Sequence, residues 1–381
     1  MVESLKEDSA SELSVKWNEG LHLPELDGIR GFAILIVTLY RYCKEMDPTA
    51  STALAWIKRL SPLGERGVDL FFVLSGFLIT GILLRTRDRP HYFRNFMVRR
   101  ALRIFPLYIL ALIVCLYVVP RLGGPSSFQV AAGEQVYLWT YISNLRMAWV
   151  NEWCFGPLDH FWSLAVEEHF YLIWPAIVYW IAPKRLFRLC LAWVVLVLVA
   201  RTFLARDADY GVAVDVHTFF RSDALSLGGM AAIAIYANYQ PKVLKTAAAI
   251  LAPLLFVVGI AIAWTGKRYF AIPNTLIPIL FVCVLYWMMH RSKHDVWNRI
   301  TRWSPLRSLG KYSYGMYVIQ LPLVTLIPAS SVLQWVPGSG SALVWFYLFY
   351  VWILFGLTYV LAWLSYHCFE KHFLAIKKRF A

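Results

Sequence analysis

The sequence predicts an all-α, polytopic membrane protein of about ten transmembrane helices with both termini cytoplasmic. Three observations carry this. The 381 residues are 59% hydrophobic and only 16% charged, whereas a soluble domain is about a quarter charged. Apolar runs long enough to span a bilayer recur along the whole chain. Lysine and arginine also alternate in density from one connection to the next, as the positive-inside rule requires.

In order, residues 1–27 read as a polar cytoplasmic segment without the apolar stretch of a cleavable signal peptide. Spans are expected near 28–45, 67–84, 102–120, 162–182, 187–204, 218–237, 244–264, 270–289, 311–329 and 342–367. Residues 371–381 form a basic cytoplasmic tail. The stretch Val136 to Val150 is short and contains Asn144 and Arg146. It reads as an interfacial or re-entrant piece, the alternative being an eleventh span. With ten spans the cytoplasmic connections and tail hold 22 Lys and Arg against 9 outside. An eleventh span would invert everything after residue 150 and destroy that bias. The net charge of +14 is thereby explained by topology and by attraction to anionic lipid headgroups, and no nucleic-acid partner is read from it. The six cysteines lack metal or redox spacing. Cys43 and Cys154 both fall in outward regions, with no pairing legible.

Ionisable residues at membrane depth or at its edge mark functional candidates. Arg30 and Arg41 bracket span one with ten residues between them, about 16 Å along a helix. Asp69 opens span two in Gly67-Val68-Asp69-Leu70-Phe71-Phe72-Val73-Leu74-Ser75-Gly76-Phe77. It reads as a helix cap, as the partner of an arginine such as Arg41, or as a substrate contact. The neighbouring glycines and Ser75 suit close helix packing. The block Arg99-Arg100-Ala101-Leu102-Arg103 enters span three from the cytoplasm. It serves topology and lipid contact, or clamps a phosphorylated cytoplasmic ligand through bidentate guanidinium groups.

Span four is the densest, in His160-Phe161-Trp162-Ser163-Leu164-Ala165-Val166-Glu167-Glu168-His169. At 100° per residue His160, Ser163 and Glu167 share a face, Glu168 lies beside it and His169 is turned further round. A histidine with a glutamate on its face can act as base and orienter, with Trp162 and Ser163 beside the substrate. The alternative is that the glutamates neutralise neighbouring arginines. Arg221 and Asp223 open span six and either pair locally or contact substrate. Span nine places Tyr314 and Gln320 inside the membrane, with Pro322 expected to kink the helix. No metal site is read, since these residues do not make a His-x3-His helical pair.

Taken together, Leu26–Gly31, Gly67–Phe77, Arg99–Tyr108, Asp159–Pro175, Arg221–Gly229, Leu309–Pro322 and the terminal Tyr366-His367-Cys368-Phe369-Glu370 resemble the acyltransferase-3 family of integral membrane acyltransferases, which includes O-antigen and peptidoglycan O-acetylases. The resemblance makes 28–370 one transmembrane acyltransferase-3-like domain in the cytoplasmic (inner) membrane. It implies transfer of an acyl group, acetyl first of all, from acyl-CoA to a hydroxyl of an envelope glycan or lipid-linked sugar. The partners are then acyl-CoA (acetyl-CoA), that acceptor and the bilayer, with no permanently bound cofactor. Arg30, Arg99, Arg100 and Arg103 handle the donor. Asp69, Trp162, Ser163, Arg221, Asp223, Tyr314 and Gln320 line the substrate path.

The family signature is Arg-x10-His. Arg30 matches its arginine, but position 41 is arginine here and not the histidine that serves as base. Gln320 likewise stands where many relatives have histidine. A guanidinium cannot take a proton near neutral pH, so Arg41 is left to stabilise an oxyanion or bind an anionic donor. The expected catalytic set is Arg30, Arg41, His160, Glu167 and Glu168. His160 is the first choice as base with Glu167 orienting it, and Glu168 and His169 are in reserve. Two other readings stay open: a non-catalytic relative that binds glycan or acyl donor, and a glycan or lipid transporter or flippase.

Overall fold

A helix satisfies its own backbone hydrogen bonds, which lipid cannot do for it, and this chain is helical nearly throughout. The computed structural model describes residues 19, 22–204, 211–237, 246–257 apart from 252 and 255, 272–290, 295–334 and 341–380. There is no strand among the described residues, and nine long helices organise them. They are α1 (Pro24–Cys43), α2 (Gly67–Thr86), α3 (Tyr92–Ile113), α4 (Trp162–Trp180), α5 (Pro183–Leu204), α6 (Thr218–Tyr236), α7 (Ile272–Met289), α8 (Ser304–Leu326) and α9 (Ser341–Ser365). Each overlaps an expected span. The remaining one, 244–264, lies largely outside the described residues.

Local chemistry explains several boundaries. Helix α1 starts with Pro24 in its first turn, carries Glu25 and Asp27 there and ends with Arg41 in its last turn, matching the helix dipole at both ends. Helix α3 begins about ten residues before the expected span, at Tyr92, so the basic block sits inside it. Arginine is a good helix former, and hydropathy alone hides this polar first half. It continues through a π-turn, Val114–Val118, to Arg121. Past α9 the chain keeps helical geometry through Tyr366–Glu370 and Lys371–Lys377, so the basic tail begins as helix. Pro322 lies within α8, which runs on to Leu326. The stretch read as interfacial forms two short helices, Gln135–Trp139 and Ser143–Val150, each too short to cross a bilayer.

Two close crossings set the interior. Helix α1 packs most extensively on α8, and α2 on α6. A methyl on Gly31 would overlap the carbonyl of Leu306, and one on Gly76 the carbonyl of Leu225. Small residues at such points let backbones approach. Among the described residues, four helical stretches are long and apolar enough by themselves to cross a membrane, Thr52–Thr86, Tyr92–Arg121, Pro183–Leu204 and Ala342–Lys377. Helices α1, α4, α6 and α8 carry buried polar groups instead, among them Thr38, Ser163, Arg221, Asp223 and Gln320. Outer faces are apolar: Leu191, Val195 and Phe203 on α5 and Phe349, Trp352 and Ile353 on α9 are exposed. A surface of this kind requires lipid, and the chain is an integral membrane protein.

Candidate active site

The polar face of α4 points into a cavity of about 100 Å³ walled by α1, α2, α3 and α8. Its polar lining consists of Arg30, Ser75, Arg100, Arg103, Ser163, Glu167, Glu168, Tyr171, Ser313, Tyr314 and Tyr317. The two glutamates are adjacent in sequence and differ in environment. Both oxygens of Glu167 are engaged: Ser75 Oγ donates to Oε1 at 2.6 Å and Tyr171 OH to Oε2 at 3.0 Å. Glu168 lines the same cavity with a buried Oε1 that has no hydrogen-bond partner. Arg100 stacks over the Tyr171 ring at 4.5 Å. Arg30 lies 3.8 Å from Asp27 across one turn of α1.

A second, larger cleft of about 470 Å³ opens beside the first half of α3. Arg30, Arg89, His91, Asn95, Arg99, Arg100, Arg103 and Lys377 line it. Arg30, Arg100 and Arg103 belong to both linings, so the cleft and the cavity share a basic neck.

Beyond the cavity, Tyr317 OH lies 2.6 Å from Ser163 Oγ and donates to the His160 carbonyl at 3.0 Å. The His160 ring is fully buried behind Tyr317, with ring centroids 5.2 Å apart. Its nitrogens lie near the Tyr317 and Val318 backbone without reaching hydrogen-bond geometry. The expected His160–Glu167 partnership does not form: neither ring nitrogen bonds the carboxylate, which accepts from Ser75 and Tyr171. Half-buried Arg41 stacks against Tyr40 at 5.4 Å, outside the cavity lining. Gln320 is fully buried and neither of its amide atoms has a partner. His169 bonds Thr218 Oγ1 at 2.7 Å, away from the cavity.

Asp69, Arg221 and Asp223 belong to a separate buried ion-pair network. Asp69 pairs with Arg221 at 2.5 Å and with Arg66 at 3.4 Å. The partner expected for it, Arg41, is replaced by Arg221, and no side-chain cap of α2 is formed. Asp223 pairs with Arg201 at 3.0 Å and accepts from Thr275 at 2.9 Å. Arg221 also lies over the rings of Trp162 and Phe72, at 5.4 Å from each. Buried charges of this kind must be paired, and here they are. The six cysteines are free.

Four polar cavity residues escaped the sequence reading as site residues. Ser75 read only as a packing residue, and Tyr171, Ser313 and Tyr317 were not singled out. Tyr171 was detectable, being four residues beyond Glu167 on the same face. Arg201, an arginine inside an apolar span, carried a similar signal.

Comparison with known proteins gives consistent matches. The family model for an acyltransferase domain matches residues 23–367. The putative peptidoglycan O-acetyltransferase YrhL of Bacillus subtilis is 30% identical over 379 residues, covering 92% of this chain and 54% of that protein. The peptidoglycan O-acetyltransferase OatA of Listeria monocytogenes is 29% identical over 333 residues, covering 80% and 50%. The O-acetyltransferase OatA of Staphylococcus aureus is 26% identical over 384 residues, covering 92% and 57%. The chain spans about half the length of the curated relatives it matches. No solved structure matches.

Proposed function

Since the chain belongs to the acyltransferase-3 family, whose domain occupies residues 23–367, we propose that it transfers an acyl group, acetyl in the first instance, from acyl-CoA to a hydroxyl of an envelope glycan. The relatives named as peptidoglycan O-acetyltransferases support a cell-wall or related acceptor. The observation that carries the reading is the basic neck: Arg30, Arg100 and Arg103 line both the open cleft and the cavity that holds the carboxylates. In the ten-span topology the cleft faces the cytoplasm of an inner membrane. Its arginines suit the phosphates of coenzyme A, and the neck leads the thioester toward Glu168.

The reaction follows from these groups. Glu168, whose carboxylate oxygen is unengaged, takes the proton of the acceptor hydroxyl. The hydroxyl oxygen attacks the thioester carbonyl, and the neck arginines stabilise the oxyanion that forms. The carbon–sulfur bond then breaks, the ester remains on the acceptor, and the leaving thiolate takes from Glu168 the proton that came from the hydroxyl, which restores the carboxylate. Glu167, fixed by Ser75 and Tyr171, shapes the wall and offsets the arginine charge. On this geometry Glu168 replaces His160 as the favoured base, because His160 lies behind Tyr317.

Acetyl transfer and acetyl-CoA binding, measured on protein reconstituted in nanodiscs, test this. Glu168→Gln should lower transfer about 100- to 10,000-fold, the usual worth of a general base, with acetyl-CoA still bound. Arg30→Gln and Arg103→Gln should weaken acetyl-CoA binding itself. Wild-type protein that neither binds nor consumes acetyl-CoA, or undiminished transfer by Glu168→Gln, would refute the proposal.

A further inference from the structure

Helices α1 and α8 cross closely, Asp27 and Gly31 lying against Leu306 and Gly310, and just before α8 Gly28 meets Thr301. From that crossing, the turn of α1 that bears Thr38 and Arg41 and the turn of α8 that bears Tyr317 and Gln320 each lie about two to three helical turns further along. The turn before α4 brings His160 to the same level, against Tyr317. The charge of Arg41 acts on both His160 and Tyr317. At this level the polar groups have no partners. Thr38 Oγ1, Arg41 Nε, both ring nitrogens of His160 and both amide atoms of Gln320 are buried without a hydrogen bond. Thr38, His160 and Gln320 are completely excluded from solvent.

Buried polar groups are ordinarily satisfied, so four unsatisfied side chains at one level call for an explanation. A ligand supplies one, and the chemistry of the set defines it. Guanidinium, imidazole, carboxamide and hydroxyl all donate hydrogen bonds, and no carboxylate is among them. Arg201 and Arg221 each meet an aspartate, whereas Arg41 forms no ion pair among the described residues. Two carboxylates act on this level without forming an ion pair with Arg41: Asp159, which accepts from the Phe155 N–H at 2.8 Å, and Glu65, which acts on Tyr40 and Tyr317. A guanidinium without an ion pair of its own can take a closer counter-charge from what binds there.

We propose that Arg41, with Thr38, His160 and Gln320, forms an anion subsite that holds a carboxylate or phosphate borne by the acceptor, next to the hydroxyl to be acylated. Naming the ligand an acceptor rests on the acyltransferase reading. A single layer, the Ser163–Tyr317 pair, separates this level from the cavity that both residues line. An acceptor anchored at Arg41 therefore needs to reach past one layer of side chains. Arg41 would then set which glycans are accepted, those carrying an acidic group.

Equilibrium binding to the full chain in nanodiscs tests the subsite without turnover. The titrants are a uronic-acid oligosaccharide, its neutral carboxamide form and a phosphorylated oligosaccharide of the same length. Wild-type protein should bind one or both charged forms about ten- to a hundredfold more tightly than the neutral form, the worth of hydrogen bonds to a charged group. The charged form preferred identifies the oxyanion. Arg41→Gln should erase the preference and Arg41→Lys should keep part of it, with thermal melting as the check that each variant folds. If neither folds, the wild-type comparison decides alone. Equal affinity for charged and neutral forms, no binding of either, or an unchanged preference in Arg41→Gln overturns the subsite. A charge preference in a protein that transfers no acyl group refutes the acyltransferase reading and leaves the subsite standing. Transfer to neutral acceptors with no charge preference does the reverse.

Discussion

Asp159 sits in the tight turn that leads into α4, outside the spans, and burial pushes its carboxyl up to about 6 although the Phe155 N–H, Arg41, the Gly156 N–H and Lys44 all favour the anion. Between its ordinary value of 3.8 and about 6, the folded protein holds this proton more tightly than the unfolded chain. The stability it contributes is complete below that window and is lost as pH rises through it. Melting temperature in detergent should therefore fall from about pH 4 to about pH 6, and Asp159→Asn should flatten this part of the profile. A slope unchanged by the substitution would exclude Asp159 as its source. Residue chemistry was partly legible in the sequence. Glu167, Glu168 and the Arg99–Arg103 block stood out because charge in an apolar chain is conspicuous, and the cavity gathers Glu167, Glu168, Arg30, Arg100 and Arg103. Pairing was not legible. Helical spacing put His160 and Glu167 on one face, but Ser75 from α2 takes the carboxylate, and no pattern within α4 announces a partner on another helix.

At the scale of elements, register decides the site, and small residues decide register. Gly31 and Gly310 let α1 and α8 approach until a single added methyl would meet a backbone carbonyl. Further along the same pair of helices Arg41 acts on Tyr317, and at the crossing Arg30 lines the neck. Gly31→Val should force the helices apart at a cost of about 1–3 kcal/mol, typical of overpacking, and should reduce transfer further by displacing Arg30. A control at Gly133, where an added methyl meets nothing within 4 Å, should change neither melting temperature nor transfer measurably. Equal behaviour of the two variants would mean that this crossing does not govern the site. The helices themselves were readable from hydropathy, since apolar length is enough to call for a membrane helix. Their partners were not, because a Gly-rich face packs on any close neighbour. The early start of α3 escaped for a related reason, its first half being helical by propensity and not by hydropathy.

For the whole molecule, the proposed chemistry depends on sidedness: the donor cleft must face the cytoplasm while Arg41 looks outward. The charge bias assigns the short helices between Gln135 and Val150 to the outside and the short helix Val296–Thr301 to the cytoplasm. The structure offers a reporter on each side, because Trp149 is 86% exposed and Trp297 55% exposed. Single cysteines at these positions, with Cys154 and Cys368 changed to serine, should label differently with a membrane-impermeant maleimide. Intact cells should modify Trp149→Cys alone, and inside-out vesicles Trp297→Cys alone. Label on both from one side would mean an odd number of crossings fewer or more between them than the ten-span plan gives. It would also place the basic cleft and the Arg41 level on faces that cannot serve a cytoplasmic donor and an external acceptor. Sidedness thus links the two ends of α1: Arg30 and Arg41, about 16 Å apart along one helix, can work on one reaction only if donor and acceptor approach it from opposite faces of the bilayer.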